Sequence, residues 1–287
     1  MKKIKFINSL GEEFEFSNSH PFILQKFEQT NGVNSYTFKG VNQDGNTYLY
    51  SDFKEKDINL GIAVIAQNTF QYANYKDKLF RVFNPKLGEG FLVYQDDIRE
   101  RKIKCIVDKI PFLVNMTKCV GTGTIALSAN DPFWLDLVEQ REEIALWIGD
   151  FEFELEFPEE GIEMGHREQS LIVNCLNNGD LETGMRIEFK ALASLTNPSL
   201  FNVHTREFIK INKTMAAGEV ISVSTYFGNK QIISKLNGIE SNVFYAIDED
   251  SSFLQLNKGD NLFRYDAETG LDNLEVTIYH YDRYIGV

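Results

Sequence analysis

In the stretch NTFQYANYKDKLFRVFNP (residues 68–85), Tyr72, Tyr75, Leu79 and Phe83 recur at the three- and four-residue spacing of one helix face. Asn68 stands where a side-chain oxygen can accept from the first free backbone N–H groups, and Asn84-Pro85 supplies the stop. The spacing predicts one amphipathic helix near residues 69–83. It decides the fold by contrast, because the chain on either side of it alternates with period two.

Upstream and downstream, short runs of strand character appear at Lys3 to Ile7, Phe22 to Phe27, Tyr48 to Phe53, Ile58 to Ala66, Phe91 to Tyr94, Lys102 to Val107 and Gly123 to Ser128. FEFELEF (residues 151–157) is the clearest strand, with Phe151, Phe153, Leu155 and Phe157 on one face and three glutamates on the other. The series resumes with Ser170 to Cys175, Met185 to Lys190, Phe208 to Ile211, Val220 to Tyr226, Lys230 to Leu236, Phe253 to Leu256 and Glu275 to His280. Turn pairs such as Asn178-Gly179, Lys258-Gly259 and Thr269-Gly270 separate these runs. Short, regular strands of this kind predict a mainly β protein, with a β-sandwich or jelly roll in the second half. A second helix is expected from Asp131-Pro132 toward Gly149, as a connection between domains.

With 287 residues, the chain can hold two ordinary cores. The expected division is an N-terminal β domain over 1–137, a linker over 138–150 and a C-terminal sandwich over 151–287. The formal net charge of −13, from 42 acids against 29 bases, repels phosphate backbones and anionic lipid, so nucleic acid and membrane are not expected partners. The start reads as no signal peptide and no run approaches the length of a membrane span. Three widely spaced cysteines, Cys105, Cys119 and Cys175, fit neither a disulfide framework nor a zinc site and read as buried thiols of a reducing cytosol.

The chemistry of a catalyst is missing. GTGT (residues 121–124) is glycine-rich but lacks the Lys-Ser/Thr of a phosphate loop and reads as a turn. Asp248, Asp250 and Ser252 have the opening spacing of a calcium loop, but Phe253 and Gly259 stand where its glycine and final acid belong, which leaves only a weak surface cation site. His20, His166, His204 and His280 lie far apart, no nucleophile elbow is present, and acidic pairs such as Asp96-Asp97 and Glu159-Glu160 read as solvated faces. No catalytic residue, metal ligand or cofactor is therefore expected. Tyr226-Phe227, Phe244-Tyr245 and the group Tyr279, Tyr281, Tyr284 offer aromatic faces to a sugar ring, and Tyr226 and Tyr245 are the candidate glycan-stacking residues.

The order of these signals goes further. The helix running into RVFNP (81–85), then GEGFLVY (88–94), RERKIKCIV (99–107), SANDPFW (128–134), NNGD (177–180), TNPSLFNVHTREFIKIN (196–212), LNKGDNLFRY (256–265) and TIYHYDRYIGV (277–287) resembles the distal tail protein (Dit) family of phages that infect Gram-positive bacteria, and related prophage proteins. The resemblance covers nearly the whole chain in order. It implies an N-terminal β domain with one helix that forms a hexameric ring, and a C-terminal sandwich similar to galectins or carbohydrate-binding modules. It further implies partners in the tail tube protein, the tail tip or baseplate hub protein and a receptor-binding protein, and a place in the virion tail after assembly in the host cytoplasm. The competing expectation is an adhesion protein that binds cell-wall glycan through the C-terminal sandwich, and a third is a glycan-cleaving enzyme.

Overall fold

The structure, a computed structural model, describes residues 2–143, 147–148, 166–167 and 172–287. The expected FEFELEF strand lies outside the described residues. Two compact units result, one of Met1–Leu137 with Tyr284–Val287 and one of Val138–Arg283.

The first unit is built on β1 (Lys3–Ile7), β2 (Glu13–Phe16), β3 (Phe22–Phe38), β4 (Thr47–Ile65), α1 (Thr69–Val82), β5 (Glu89–Gln95), β6 (Glu100–Asn115), β7 (Val120–Ala129) and β8 (Trp134–Asp136). The main path of its nine-stranded antiparallel sheet runs β2-β1-β5-β6-β7-β4-β3, with β8 on β6. Its two ends meet, because Ser17 N–H donates to Phe22 O at 3.1 Å and Leu24 N–H to Ser17 O at 2.8 Å, so the sheet curls around its own core. Phe6, Phe14, Phe16, Ile58, Leu60, Ile62, Ile103, Ile125 and Trp134 fill that core.

Helix α1 forms where the spacing placed it. The Asn68 side chain accepts from Gln71 N–H at 2.8 Å, a cap that contributes about 1 kcal/mol. The helix buries Tyr72, Leu79 and Val82, and Phe83 just after it stacks on Phe6 with ring centroids 4.6 Å apart. The glycines of GTGT are not a turn but lie inside β7. A Cβ on Gly121 would stand 2.0 Å from the Tyr72 hydroxyl, and one on Gly123 would stand 2.0 Å from Phe112 O. These residues are glycine because the helix and β6 approach β7 too closely for any side chain.

The second unit comprises β9 (Gln140–Glu143), the short pair β10 (Trp147–Ile148) and β11 (His166–Arg167), β12 (Ile172–Asn177), β13 (Met185–Ala191), β14 (Leu195–Asn202), β15 (Phe208–Lys210), β16 (Thr214–Met215), β17 (Val220–Ser224), β18 (Gln231–Leu236), β19 (Ile239–Asn242), β20 (Gly259–Thr269) and β21 (Leu274–His280). A five-stranded sheet follows the order β12-β20-β14-β15 with β16 on β14, and a six-stranded sheet the order β19-β18-β17-β13-β21-β9. One core joins them, with Ile187, Phe189, Ile221, Val223 and Ile278 from the second and Leu200, Ile209, Phe263 and Tyr265 from the first. Antiparallel sheets enclosing one core are a β-sandwich.

Four expectations are corrected. The helix foreseen after Asp131-Pro132 is absent among the described residues: β8 and β9 occupy that span, because Trp134 is drawn into the core and its Nε1–H donates to Gln29 Oε1 at 2.9 Å, overriding local propensity. The 138–150 linker is in part sheet, since β9 pairs with β21. Phe253 to Leu256 is irregular apart from the isolated bridge of Leu256 to Thr183. The C-terminus also returns to the first unit, where β22 (Arg283–Tyr284) pairs with β8. There Lys56 Nζ donates to Ile285 O at 2.8 Å, Arg101 donates to Gly286 O, and the Arg101 guanidinium stacks 3.4 Å from the Tyr284 ring centroid.

Candidate assembly surfaces

Among the described residues no group of three or more His, Cys, Asp and Glu is placed to hold a metal ion, and no helix is long and apolar enough to cross a membrane. Asp248 is engaged within its own loop, where Asn212 Nδ2–H and Asp250 N–H donate to its carboxylate at 3.0 and 3.1 Å, and these bonds hold its pKa below the usual carboxylate value. Cys105 and Cys175 are buried thiols pushed up to about 12 by desolvation, whereas Cys119 is half-exposed, so only two of the three fit the buried reading. His280 is fully buried, with Nε2 3.4 Å from the equally buried Asp282 Oδ1.

The two candidate stacking residues differ in setting. Tyr245 lies in a 3-10 turn, Phe244–Ala246, and is 83% exposed. Tyr226 packs beside Gly184, where a Cβ would meet its Cα at 2.6 Å, and its hydroxyl is buried, which raises its pKa through desolvation. The aromatic that faces out of that pair is Phe227. Adjacent aromatics in a sequence show that one side chain points out; their parity relative to the core decides which.

What the structure exposes in quantity is apolar surface on strands. Residues 33–53 continue β3 and β4 beyond the sheet, and their ladder partners lie within that pair alone: Val33 opposes Phe53, Tyr36 opposes Tyr50 and Phe38 opposes Thr47. Tyr36 and Tyr50 stack with centroids 4.5 Å apart on one face, and the Tyr36 hydroxyl donates to Asp52 at 3.2 Å. Val33 and Phe53 occupy the other face by the alternation of the ladder. Phe38 is 60% and Tyr48 61% exposed at the tip. A two-stranded ribbon is marginal by itself in water, and one with apolar side chains on both faces has no face suited to solvent. A second apolar run, Ile110, Phe112, Val114 and Met116, is exposed toward the β6–β7 turn.

Two β units and a projecting ribbon with exposed apolar side chains are the features of a subunit with surface left to be covered by other molecules. The comparisons agree. The phage tail protein RIFT-related domain family matches residues 9–129, and the siphovirus-type tail component, C-terminal domain family matches residues 178–284. The fold is similar to that of the Dit protein (gp 19.1) of phage SPP1, described as a paradigm of the hub of the adsorption apparatus in phages infecting Gram-positive bacteria. That likeness has a TM-score of 0.69 at 11% identity, covering 98% of each chain. A chain of the phage P2 baseplate in its activated conformation with Ca is similar at TM-score 0.55 and 10% identity, over 100% of both chains. Among curated proteins no match is found. The chain belongs to the siphophage distal tail (Dit) family and is a structural component of the phage tail.

Proposed function

We propose that this chain forms a hexameric ring at the distal end of the tail, joins the tail tube to the tip or baseplate and supports host-recognition proteins. The carrying observation is the 33–53 ribbon, apolar on both faces and extended past its own sheet. Closed symmetry lets one such contact repeat around a ring, so each ribbon is covered by a neighbouring copy and none is left over. The acidic balance of −13 suits a subunit near a passage for DNA, because like charge opposes phosphate contacts. Assembly in the host cytoplasm accords with the two buried, unpaired thiols.

Multi-angle light scattering with negative-stain microscopy tests the reading. The wild-type chain, alone or mixed with its purified tail tube and tip proteins, is expected as an annular particle of six copies. Phe38→Ser with Tyr48→Ser, both at exposed tip positions, is expected to shift it to smaller species with unchanged circular dichroism. A wild-type chain that stays monomeric at high concentration with those partners present overturns the ring.

A further inference from the structure

The C-terminal sandwich carries a second aromatic surface, at the end where β17 turns into β18. Asn229 N–H donates to Tyr226 O at 3.0 Å to close that turn, leaving Phe227 at its tip 95% exposed. Gln255 Nε2 donates to Thr225 O at 3.1 Å and so ties the 253–255 segment to the same turn. Phe253 in that segment lies 5.9 Å from Phe244, rings nearly parallel, and the Lys230 ammonium sits 4.8 Å over Phe253. Tyr245 follows Phe244 and is also exposed. Two residues beyond that 3-10 turn comes Asp248-Glu249-Asp250. Asp248 is engaged internally, while Glu249 and Asp250 are exposed, with no ion pair among the described residues.

We infer that this end of the sandwich, Phe227, Phe244, Tyr245 and Phe253 with Glu249 and Asp250, docks a folded protein partner that presents a hydrophobic pocket rimmed by lysine or arginine. Two observations favour protein over glycan. Phe227 and Tyr245 protrude instead of lining a cleft, so the partner must bring the concavity, as anchors of protein interfaces require. The two exposed acids are left without cations while Lys230 is engaged on a ring, so the charge that complements the patch is positive. The choice of probes rests on the tail-hub reading; the patch itself lies wholly in the second unit, whereas the ribbon belongs to the first.

The test titrates the full chain separately with its purified tail-tip protein, its purified receptor-binding protein and soluble wall polysaccharide from the host. One of the two proteins is expected to bind. Phe227→Ser with Tyr245→Ser is expected to weaken that binding by about thirtyfold or more, the loss typical of two central anchors. Glu249→Gln with Asp250→Asn is expected to weaken it by about fivefold at low ionic strength and to flatten its salt dependence. Ring formation, followed by light scattering on the same samples, is expected to be unchanged in both variants. Failure of the wild type to form rings counts against the hub and leaves the docking titration standing. Neither protein binding, binding indifferent to the aromatic variant, or polysaccharide binding lost in its place each overturns the inference.

Discussion

Lys56→Met isolates the electrostatic cost of the clamp on the returning C-terminus. The Lys56 side chain is fully buried, its Nζ donates to Ile285 O at 2.8 Å and lies 5.6 Å from the Trp134 ring centroid. Burial lowers its pKa from 10.5 to about 8, opposed in part by the Asp131 charge. Since the folded value is the lower one, the native chain releases this proton first. Between pH 8 and 10.5 the unfolded chain binds more protons, and stability rises with pH through that window. A shift of about 2.5 units corresponds to roughly 3 kcal/mol, absent below pH 8 and fully gained near pH 10.5. Methionine removes the titration, relieves the buried charge at neutral pH and gives up the bond from Lys56 to the Ile285 carbonyl, a charge-assisted bond worth about 1.5–3 kcal/mol, so the two proteins should be close in stability at pH 7. Urea unfolding at pH 7, 8, 9 and 10, in a Trp147→Phe background so that Trp134 fluorescence reports, checks this. Wild type should gain on the variant steadily above pH 8. Parallel stability curves across the series would refute the reasoning.

Two further outcomes follow from packing. Gly123→Ala should cost the first unit about 3 kcal/mol or more, because its Cβ would meet the Phe112 carbonyl oxygen, which is backbone and cannot swing aside, whereas Thr124→Ala at an exposed neighbouring site should stay within about 0.5 kcal/mol. Denaturation midpoints of the two variants against wild type decide it, and a stable Gly123→Ala protein rules the close approach out. A thiol reagent at pH 8 should modify one cysteine, Cys119, in the native chain and all three in urea, since burial holds Cys105 and Cys175 near 12; rapid native modification of all three would contradict their burial.

The strands and the helix were legible because each has one buried and one wet face: β1 matches its alternation residue for residue, and Asn68 and Pro85 bracket α1 as capping chemistry requires. Length was less legible. Tyr48 to Phe53 and Ile58 to Ala66 read as two strands, yet β4 runs from Thr47 to Ile65, because Lys56 and Asp57 in the polar segment between them pair with Asn31 and Thr30 on one side and Ala129 and Ser128 on the other, and Lys56 reaches the distant Ile285 carbonyl. That partner is 229 positions away, and no local pattern announces it. Gly121 and Gly123 misled for a similar reason: glycine marks a positive φ or a close approach alike, and only the neighbouring Tyr72 and Phe112 say which. The assembly surfaces were the least legible. Tyr36, Tyr50 and Phe227 have the composition of core residues, and their exposure depends on where the sheet ends.

The homecoming of Tyr284–Val287 makes the second unit a cassette. Its chain leaves the first unit at Leu137 and rejoins it at Tyr284, and both junctions are stitched into the same small region: Lys102 Nζ holds Leu137 O at 2.9 Å, and the Tyr284 hydroxyl lies 3.5 Å from Asp136. Everything between those stitches can therefore be exchanged, lengthened or redecorated while the base keeps its own core and its own last strand. A lineage under pressure to meet new surfaces has in this topology a socket that accepts new payloads without retooling the first unit.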